Sequence, residues 1–256
     1  MPSRLNNFNK LIWLVPLMFF SAGCTTIYNP ATQKNETIFI DTEGEVALGR
    51  SMAGEVKQEF KIIDDSQDNY RLDSIGQKVA ANSDRRDLDY HFSIIKDDEL
   101  NAFALPGGFI YVNSAITKTA TNDELACVLA HEIGHVAARH SVKRIQAVLG
   151  YQIIMSIAMG LSGATNVSRA VDVVFNVTTL GYSRADENLA DRLAVKYAKH
   201  AGFNPNGMLS FFEKLKKEAE KRGPRFNLVF LSSHPPIEER IKNIKNEIVK
   251  LEQYSP

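Results

Sequence analysis

The chain has 256 residues, and 30 lysine and arginine residues balance 30 aspartate and glutamate residues, so its formal net charge is +0. Hydrophobic residues make up 44% of the sequence and charged residues 23%, values that are typical of a globular protein and exclude a disordered or fibrous chain. Because there is no basic excess to displace counterions from phosphates, we expect no nucleic-acid partner. Two cysteines are too few for a small fold held together by disulfides.

Residues 1–23 have the pattern of a secretory signal. They carry two basic residues, no acidic residue and the apolar run Leu11–Phe20, which is too short to span a bilayer. Small residues then lead to Cys24. This end of the chain resembles the bacterial lipobox, in which the signal is removed before the cysteine and the thiol receives lipid. An ordinary signal peptide with an incidental cysteine is the alternative.

Lipidation of Cys24 would leave Cys127 without a disulfide partner in its own chain. Cys127 lies in the apolar stretch Leu125–Ala130, where we expect a buried and unreactive thiol. A chain without an internal disulfide is compatible with the oxidising cell envelope. Thr25 stands where an inner-membrane retention signal usually has Asp, so the resemblance to sorted lipoproteins implies an outer-membrane anchor and a domain that faces the periplasm.

After the signal, residues 24–44 are polar and mixed, and they predict a tether to a domain at residues 45–256. Helices are predicted at about 45–62 and 69–81, and a strand at 90–95. Residues 101–112 are typical of two short strands around Pro106-Gly107-Gly108, because the glycines can adopt positive φ in the turn.

Two capping signatures predict the starts of long helices. Thr121 and Glu124 have capping-box spacing, ahead of an apolar helix that should extend at least to Arg139. Ser183 and Asp186 have the same spacing and open a helix that should end near residue 200.

Residues 150–181, between these helices, are unusually apolar and small. Asn166, Arg169 and Asp172 interrupt them, so we expect a buried helical hairpin or an interfacial surface rather than a membrane span. Two more helices are predicted at about 205–222 and 237–251. The predicted fold class is α+β, mainly helical with a small β-sheet.

His131-Glu132-Ile133-Gly134-His135 is the strongest chemical signal in the sequence. On a helix, His131 and His135 lie about 40° apart on one face, so both imidazoles can bind one Zn²⁺ while Glu132 reaches the metal's water. Two surface histidines are the alternative, but Glu132 lies in an otherwise uncharged apolar stretch where burial without a partner is costly. His140 would lie about 140° from His135 on this helix, so we interpret it, like His91, as a non-ligand.

A catalytic zinc usually takes a third protein ligand. Glu187 and Asp191 lie one turn apart on the helix that Ser183 opens. If Glu187 binds the metal, Asp191 shares its face and can accept a hydrogen bond from a ligand histidine. Spacing alone does not exclude two solvated carboxylates.

Several motifs occur in a specific order along the chain. They are residues 101–108, 121–126, 131–135 and 183–191, and His234-Pro235 ahead of Glu239-Arg240-Ile241. Together they resemble the M48 family of zinc metallopeptidases, which are gluzincins, in its secreted lipoprotein branch, over about residues 45–244. The resemblance implies a zincin-like metallopeptidase domain with an HExxH active-site helix.

The family pattern implies that His131, His135 and Glu187 bind one Zn²⁺ per chain, with Asp191 behind a ligand histidine. Many members of the family have a second acidic residue where this chain has Leu189, which strengthens the choice of Glu187. The resemblance and the chemistry together imply that Glu132 takes a proton from a zinc-activated water and returns it to the leaving amine.

His234 and Arg240 are the candidates to stabilise the oxyanion of the tetrahedral intermediate. His234 could instead fill the open coordination position and close the resting enzyme. A loop histidine without a role is the third interpretation of His234.

The hairpin at residues 101–112 also has a candidate role. An edge strand that contains Asn101, Ala102 and Phe103, next to the turn at Gly108, could pair with an extended substrate through main-chain hydrogen bonds. A purely structural hairpin is the alternative.

The predicted function is that of a zinc endopeptidase of the cell envelope, anchored by lipid and acting on unfolded, misfolded or misassembled envelope proteins. The alternatives are an envelope chaperone or assembly factor that uses the zinc fold mainly for binding, and an exopeptidase that requires a free substrate terminus. Glu132 argues against pure binding, because a structural metal site needs no general base.

Overall fold

The structure is a computed structural model that describes residues 25–64, 67–161, 163–180, 182–222 and 237–254. The strands are β1 (Thr25–Asn29), β2 (Lys34–Ile38), β3 (Ile62–Ile63), β4 (His91–Ile95), β5 (Ala102–Ala104) and β6 (Phe109–Asn113). The helices are α1 (Thr42–Glu59), α2 (Gln67–Ala80), α3 (Ser114–Thr119), α4 (Asn122–Ala137), α5 (His140–Ala158), α6 (Ala164–Leu180), α7 (Arg184–His200), α8 (Gly207–Arg222) and α9 (Ile237–Tyr254), with a 3₁₀ turn at Pro106–Gly108. The predicted mainly helical α+β class is confirmed.

Four strands form a sheet of order β3-β4-β6-β5. β4 and β6 are parallel, while β3 and β5 pair antiparallel with their neighbours, so β5 lies at an edge among the described strands. Between β5 and β6 the chain turns through Gly107 and Gly108, whose φ values are 73° and 91°. A Cβ at Gly107 would lie 2.7 Å from the Cα of Val46 on α1, so the predicted need for glycine in this turn is confirmed.

α4 is the central helix of the domain and packs against α2, α7 and α8. Its residues from Glu124 to Ala137 are all buried, which explains why the sequence is apolar around every turn. The Cys127 thiol is also buried and donates to the backbone oxygens of Asn204 and Pro205 at 3.6 and 3.7 Å. Its predicted role as a packed thiol is confirmed.

Both predicted capping boxes are present. The Thr121 side chain accepts from the backbone N–H of Glu124 at 3.2 Å, and the Glu124 carboxylate accepts from the N–H of Thr121 at 2.7 Å. Ser183 and Asp186 make the corresponding pair at 3.2 and 3.3 Å. These boxes fix the starts of α4 and α7.

The prediction that the first of these helices extends at least to Arg139 is wrong. α4 ends at Ala137, Arg139 adopts the left-handed conformation with φ 55° and ψ 34°, and α5 begins at His140. The Arg139 guanidinium lies 3.3 Å from the carboxylate of Glu45 and donates to the hydroxyl of Thr42 at 3.4 Å. These contacts with α1 hold a residue whose backbone conformation is unfavourable in itself.

The structure also differs from the predicted tether. β1 and β2 form an antiparallel hairpin, in which Thr25 pairs with Ile38. The Asn29 amide donates to the backbone oxygen of Ala137 at 3.1 Å, and Lys143 on α5 pairs with Glu36. The polar residues that suggested a tether therefore have partners at the junction of α4 and α5.

The predicted helical hairpin is confirmed as α5 and α6, which pack against each other and against α1. Ile154, Ile157 and Ala170 are buried, while Met159 and Leu161 at the tip are 58% and 75% exposed. Among the described helices, none is both long enough and apolar enough to cross a membrane.

Candidate metal centre

Three side chains from two helices converge at the centre of the molecule. His131 and His135 lie on α4, and Glu187 lies in the first turn of α7. One ligand atom from each lies within 4.8 Å of the others. The two Nε2 atoms are 3.0 Å apart, and the Glu187 carboxylate oxygens lie 3.6 Å from Nε2 of His131 and 3.5 Å from Nε2 of His135. All three side chains are buried.

Close packing of α4 on α7 makes this convergence possible. Gly134 faces α7, and a Cβ at this position would lie 3.1 Å from the backbone oxygen of Ala190 and 3.3 Å from the Cβ of Leu193. The absence of a side chain therefore lets the two helices approach closely, one residue before His135.

Asp191 lies behind His131. Its carboxylate is 3.0 Å from Nδ1 of His131, the ring nitrogen that points away from the cluster. Arg240 on α9 donates to both oxygens of Asp191, at 2.8 Å from Nε and 2.7 Å from Nη2, and its Nη1 lies 3.1 Å from Glu187. The guanidinium is buried and stacks over Phe212. Arg240 thus joins the two carboxylates of α7.

His135 has a different neighbour at the corresponding nitrogen. Nδ1 of His135 lies 2.8 Å from Nδ1 of His140, and Nε2 of His140 lies 3.3 Å from a carboxylate oxygen of Asp186. The Tyr182 ring stacks on His135 at a centroid distance of 4.1 Å, and its hydroxyl forms a hydrogen bond with Ser141. These residues surround His135 on the side of the cluster away from Asp191.

Burial and nearby charge set the pKa values here. Burial, together with the charge of Glu187, raises the pKa of Glu132 to about 8. Burial raises the pKa of Glu187 to about 7 against the opposing charge of Arg240. Burial would also raise the pKa of Asp191, but the charge and hydrogen bonds of Arg240 hold it below the usual range. Burial lowers the pKa of His131, so the imidazole is held in its neutral, metal-binding form.

Two imidazole nitrogens and one carboxylate form a donor set that suits a divalent transition metal. A buried positive ion between them would also compensate the burial cost of Glu132 and Glu187. The residues present therefore fit a metal ion.

Comparison with known proteins agrees with this geometry. The sequence model of peptidase family M48 matches residues 66–248, which include every side chain of the cluster. The chain belongs to peptidase family M48.

Several M48 relatives align over most of the chain. A beta-barrel assembly-enhancing protease from Yersinia pestis is 27% identical over 229 residues, which cover 84% of this chain and 46% of that protein. A putative beta-barrel assembly-enhancing protease from Vibrio cholerae is 29% identical over 241 residues, covering 88% and 47%. Metalloprotease LoiP from Escherichia coli K12 is 29% identical over 181 residues, covering 70% and 69%. This chain therefore spans about half the length of the first two relatives.

The structure brings together most of the predicted M48 site residues, namely His131, Glu132, His135, Glu187 and Asp191. The predicted substrate strand approaches the same place, because Ser141 donates to the backbone oxygen of Ala104 at the end of β5. That strand includes Ala102 and Phe103, and Asn101 and Gly108 flank it on the two sides.

Two predicted residues, Cys24 and His234, lie outside the described part of the chain, and their roles stay predictions. The structure corrects the role of Arg240. Its guanidinium nitrogens are directed at the carboxylates of Asp191 and Glu187, which favours a positioning role over the predicted contact with an oxyanion.

The sequence interpretation missed His140, Asp186 and Tyr182 as neighbours of the centre. A continuous helix places His140 on another face, about 140° from His135, but the break at Arg139 returns it to His135. The sequence pattern indicates only a capping role for Asp186. The signal in the sequence is a histidine five residues after the HExxH motif. Its position next to His135 follows only from the helix break at Arg139, which the sequence pattern does not show.

Proposed function

We propose that this chain is a zinc-dependent endopeptidase of the bacterial cell envelope that hydrolyses peptide bonds in misfolded or misassembled proteins. The observation that carries the proposal is the convergence of His131, His135 and Glu187 next to the buried carboxyl of Glu132. Membership of peptidase family M48 and the named protease relatives support it.

We propose that one Zn²⁺ is held by His131, His135 and Glu187. Two imidazoles and a carboxylate form a set of ligands that catalytic zinc sites use. Zinc bound there would supply a Lewis acid that polarises the peptide carbonyl and lowers the pKa of a water.

Glu132 performs the proton transfers. It follows His131 directly on α4, and its buried carboxyl has a raised pKa. A cation beside it favours the carboxylate form, which accepts the proton of the attacking water and then returns it to the leaving amine. Asp191 keeps its charge next to Arg240 and accepts from Nδ1 of His131, which holds that ring in one orientation.

Substrate binds as an extended strand along β5. This strand lies at the sheet edge among the described strands and is linked to the centre by the Ser141 hydrogen bond to Ala104. An edge strand binds through main-chain hydrogen bonds and therefore selects an extended conformation more than a sequence. That selectivity suits unfolded segments of many proteins.

The proposed location is the outer membrane, facing the periplasm. Residues 1–23 form the signal peptide, Cys24 carries the lipid and residues 45–256 form the metallopeptidase domain. Two relatives support an envelope role, the beta-barrel assembly-enhancing protease of Yersinia pestis and the putative beta-barrel assembly-enhancing protease of Vibrio cholerae.

The test is cleavage of an unfolded protein, reduced casein, by the purified protein, together with its zinc content. We expect about one zinc per chain and internal cleavage by the wild type. Glu132→Gln should keep the zinc and the fold but lose hydrolysis, because an amide cannot accept the proton of the water. Turnover of the variant within a few-fold of wild type would exclude Glu132 as the general base.

The same experiment separates the alternatives. A chaperone or assembly factor would suppress casein aggregation equally well with Glu132→Gln and produce no fragments from either protein. An exopeptidase would fail on a peptide with blocked termini, whereas the endopeptidase should cleave it internally.

A further inference from the structure

The two imidazoles of the metal centre are held by different acceptors. His131 and His135 both direct Nε2 into the cluster, so Nδ1 of each ring points outward. Nδ1 of His131 faces the carboxylate of Asp191, and Nδ1 of His135 faces Nδ1 of His140 at 2.8 Å. His140 itself is buried, with 4% of its surface exposed.

The position of the protons follows from this arrangement. A ring that binds a metal through Nε2 keeps its proton on Nδ1, so His135 is the donor in the contact with His140. His140 must then accept on a bare Nδ1, and its own proton lies on Nε2. That nitrogen is 3.3 Å from the carboxylate of Asp186, which accepts it. One arrangement of protons satisfies all three groups.

We propose that His140 is a positioning residue, which together with Asp186 fixes the tautomer and the ring orientation of His135. This inference rests on the proposed metal site and extends it to residues outside the HExxH motif. His140 does for His135 what Asp191 does for His131.

The backbone supports this role. Arg139 adopts the left-handed conformation, and its side chain lies against Glu45 on α1. That break turns the first residue of α5 back towards α4, where a continuous helix would have carried His140 away from His135. Strained backbone of this kind is retained where the surrounding structure holds it and function uses it.

Asp186 also links the two helices that carry the proposed metal ligands. Asp186 belongs to the capping box of α7 and directly precedes Glu187. Through His140 it links the start of α7 to His135 on α4. The orientation of His135 and the presentation of Glu187 therefore depend on one carboxylate.

The test compares two substitutions of His140 in the full chain. His140→Leu removes the acceptor and keeps an apolar side chain of similar size, whereas His140→Asn keeps an oxygen near the place of Nδ1. We expect His140→Leu to lower zinc affinity about 10- to 100-fold and His140→Asn to recover most of the loss. Zinc affinity is measured by competition with a chromophoric chelator, and His200→Asn, at an exposed histidine, is the matched control.

Thermal unfolding of the metal-free proteins separates positioning from general stability. If His140 only packs, both variants should lose zinc affinity in proportion to their loss of metal-free stability. Equal zinc affinities for His140→Leu and wild type would overturn the inference and leave the proposed function intact. A wild-type protein that binds no zinc would instead overturn the proposed function.

A measurement on the wild type avoids dependence on folding of the variants. In the zinc-bound protein, ¹⁵N-histidine NMR should show His140 protonated on Nε2 and bare on Nδ1, with the signal assigned by its loss in His140→Asn. A His140 ring protonated on Nδ1 would overturn the inference, because it could not accept from His135.

Discussion

Two carboxylates one helical turn apart on α7 have pKa values that are shifted in opposite directions. Asp191 receives two hydrogen bonds from Arg240 and keeps a lowered pKa, whereas Glu187 faces one guanidinium nitrogen at 3.1 Å and has a raised pKa of about 7. Asp191 is therefore the stable anion that orients His131, and Glu187 is the carboxylate that gains most from a bound cation. This difference supports the different roles that we propose for the two acids.

Substitution of these acids should separate the two tasks. Glu187→Ala removes a ligand, so we expect it to abolish stoichiometric zinc binding at micromolar concentrations. Asp191→Asn keeps the shape of the side chain but removes the charge that faces His131, so we expect zinc affinity to fall by about 10- to 100-fold. Competition with a chromophoric chelator measures the zinc affinity of both variants.

Full zinc affinity in Glu187→Ala together with its loss in Asp191→Ala would reverse the assignment. Glu213→Ala is a suitable control, because Glu213 is an exposed acid on α8.

At the scale of the elements, the contact between α4 and α7 decides whether the proposed metal ligands meet. α4 supplies two of them, α7 supplies the third, and the helices touch at Gly134. The pKa shifts, the distances and the proposed chemistry all depend on this contact.

Gly134→Ala should therefore weaken metal binding although it introduces a better helix former. The added methyl would meet the backbone oxygen of Ala190 at 3.1 Å, so the helices must separate by a few tenths of an ångström. Gly54→Ala on α1 is the matched control, because its Cβ would meet nothing within 4 Å. We expect Gly54→Ala to stabilise the protein by about 0.5–1 kcal/mol without changing zinc affinity.

Thermal unfolding and a zinc titration of both alanine variants provide the measurement. Unchanged zinc affinity in Gly134→Ala would show that the ligands tolerate a wider spacing of the helices.

The capping box of α4 makes stability depend on pH. Glu124 accepts from the backbone of Thr121 and from Ser210 and Lys214 on α8, at 2.7, 2.9 and 2.6 Å. Burial raises its pKa, but these hydrogen bonds and the charge of Lys214 outweigh burial, so the pKa is lowered from 4.5. A lowered pKa contributes stability that is fully present above about pH 4.5 and is lost as the pH falls through the folded-state value.

Glu124→Gln should lower the melting temperature at pH 7, and the difference from wild type should shrink as the pH falls towards 3. At pH 7 the substitution should lower the free energy of unfolding by about 1–3 kcal/mol, the range for losing a cap and a hydrogen bond to a charged group. Melting curves between pH 3 and 7 measure it, with Glu220→Gln at an exposed position as control. Parallel curves for wild type and Glu124→Gln would contradict the role of this carboxylate.

At the scale of the whole molecule, the hairpin of β1 and β2 brings the proposed lipid attachment next to the domain. β1 begins at Thr25, directly after Cys24, and the hairpin packs at the junction of α4 and α5 through Asn29. A lipid on Cys24 would therefore hold the domain close to the membrane surface.

Lipidation of Cys24 can be tested with the second cysteine as control. Cys24→Ser should abolish incorporation of an alkyne-labelled fatty acid, because the hydroxyl cannot form the thioether of a lipoprotein. Cys127→Ala should keep the label, since burial raises the pKa of the Cys127 thiol to about 12 and leaves it unreactive. Labelling that survives Cys24→Ser would point to an ordinary signal peptide.

Much of the centre follows from the sequence, because its features are local. The helical spacing of His131 and His135 and that of Glu187 and Asp191 need only one turn of helix. The capping boxes at Thr121 and Ser183 are likewise patterns of residues three apart, and both are present. The glycines of residues 106–108 likewise predict a local turn, and the apolar composition of residues 150–181 predicts the hairpin of α5 and α6.

Tertiary structure alone decided the features that depend on distant partners. The guanidinium of Arg139, at the break between α4 and α5, lies next to Glu45, far away in the sequence, and this break brings His140 to His135. Arg240 joins the carboxylates of α7 from a different helix. The sequence by itself determined the helical spacing of the candidate ligands, because that spacing is local, and the resemblance to M48 singled out Glu187 among them. Packing decided how the rings and carboxylates are held, because hydrogen bonds between distant segments leave no periodic pattern in a single sequence.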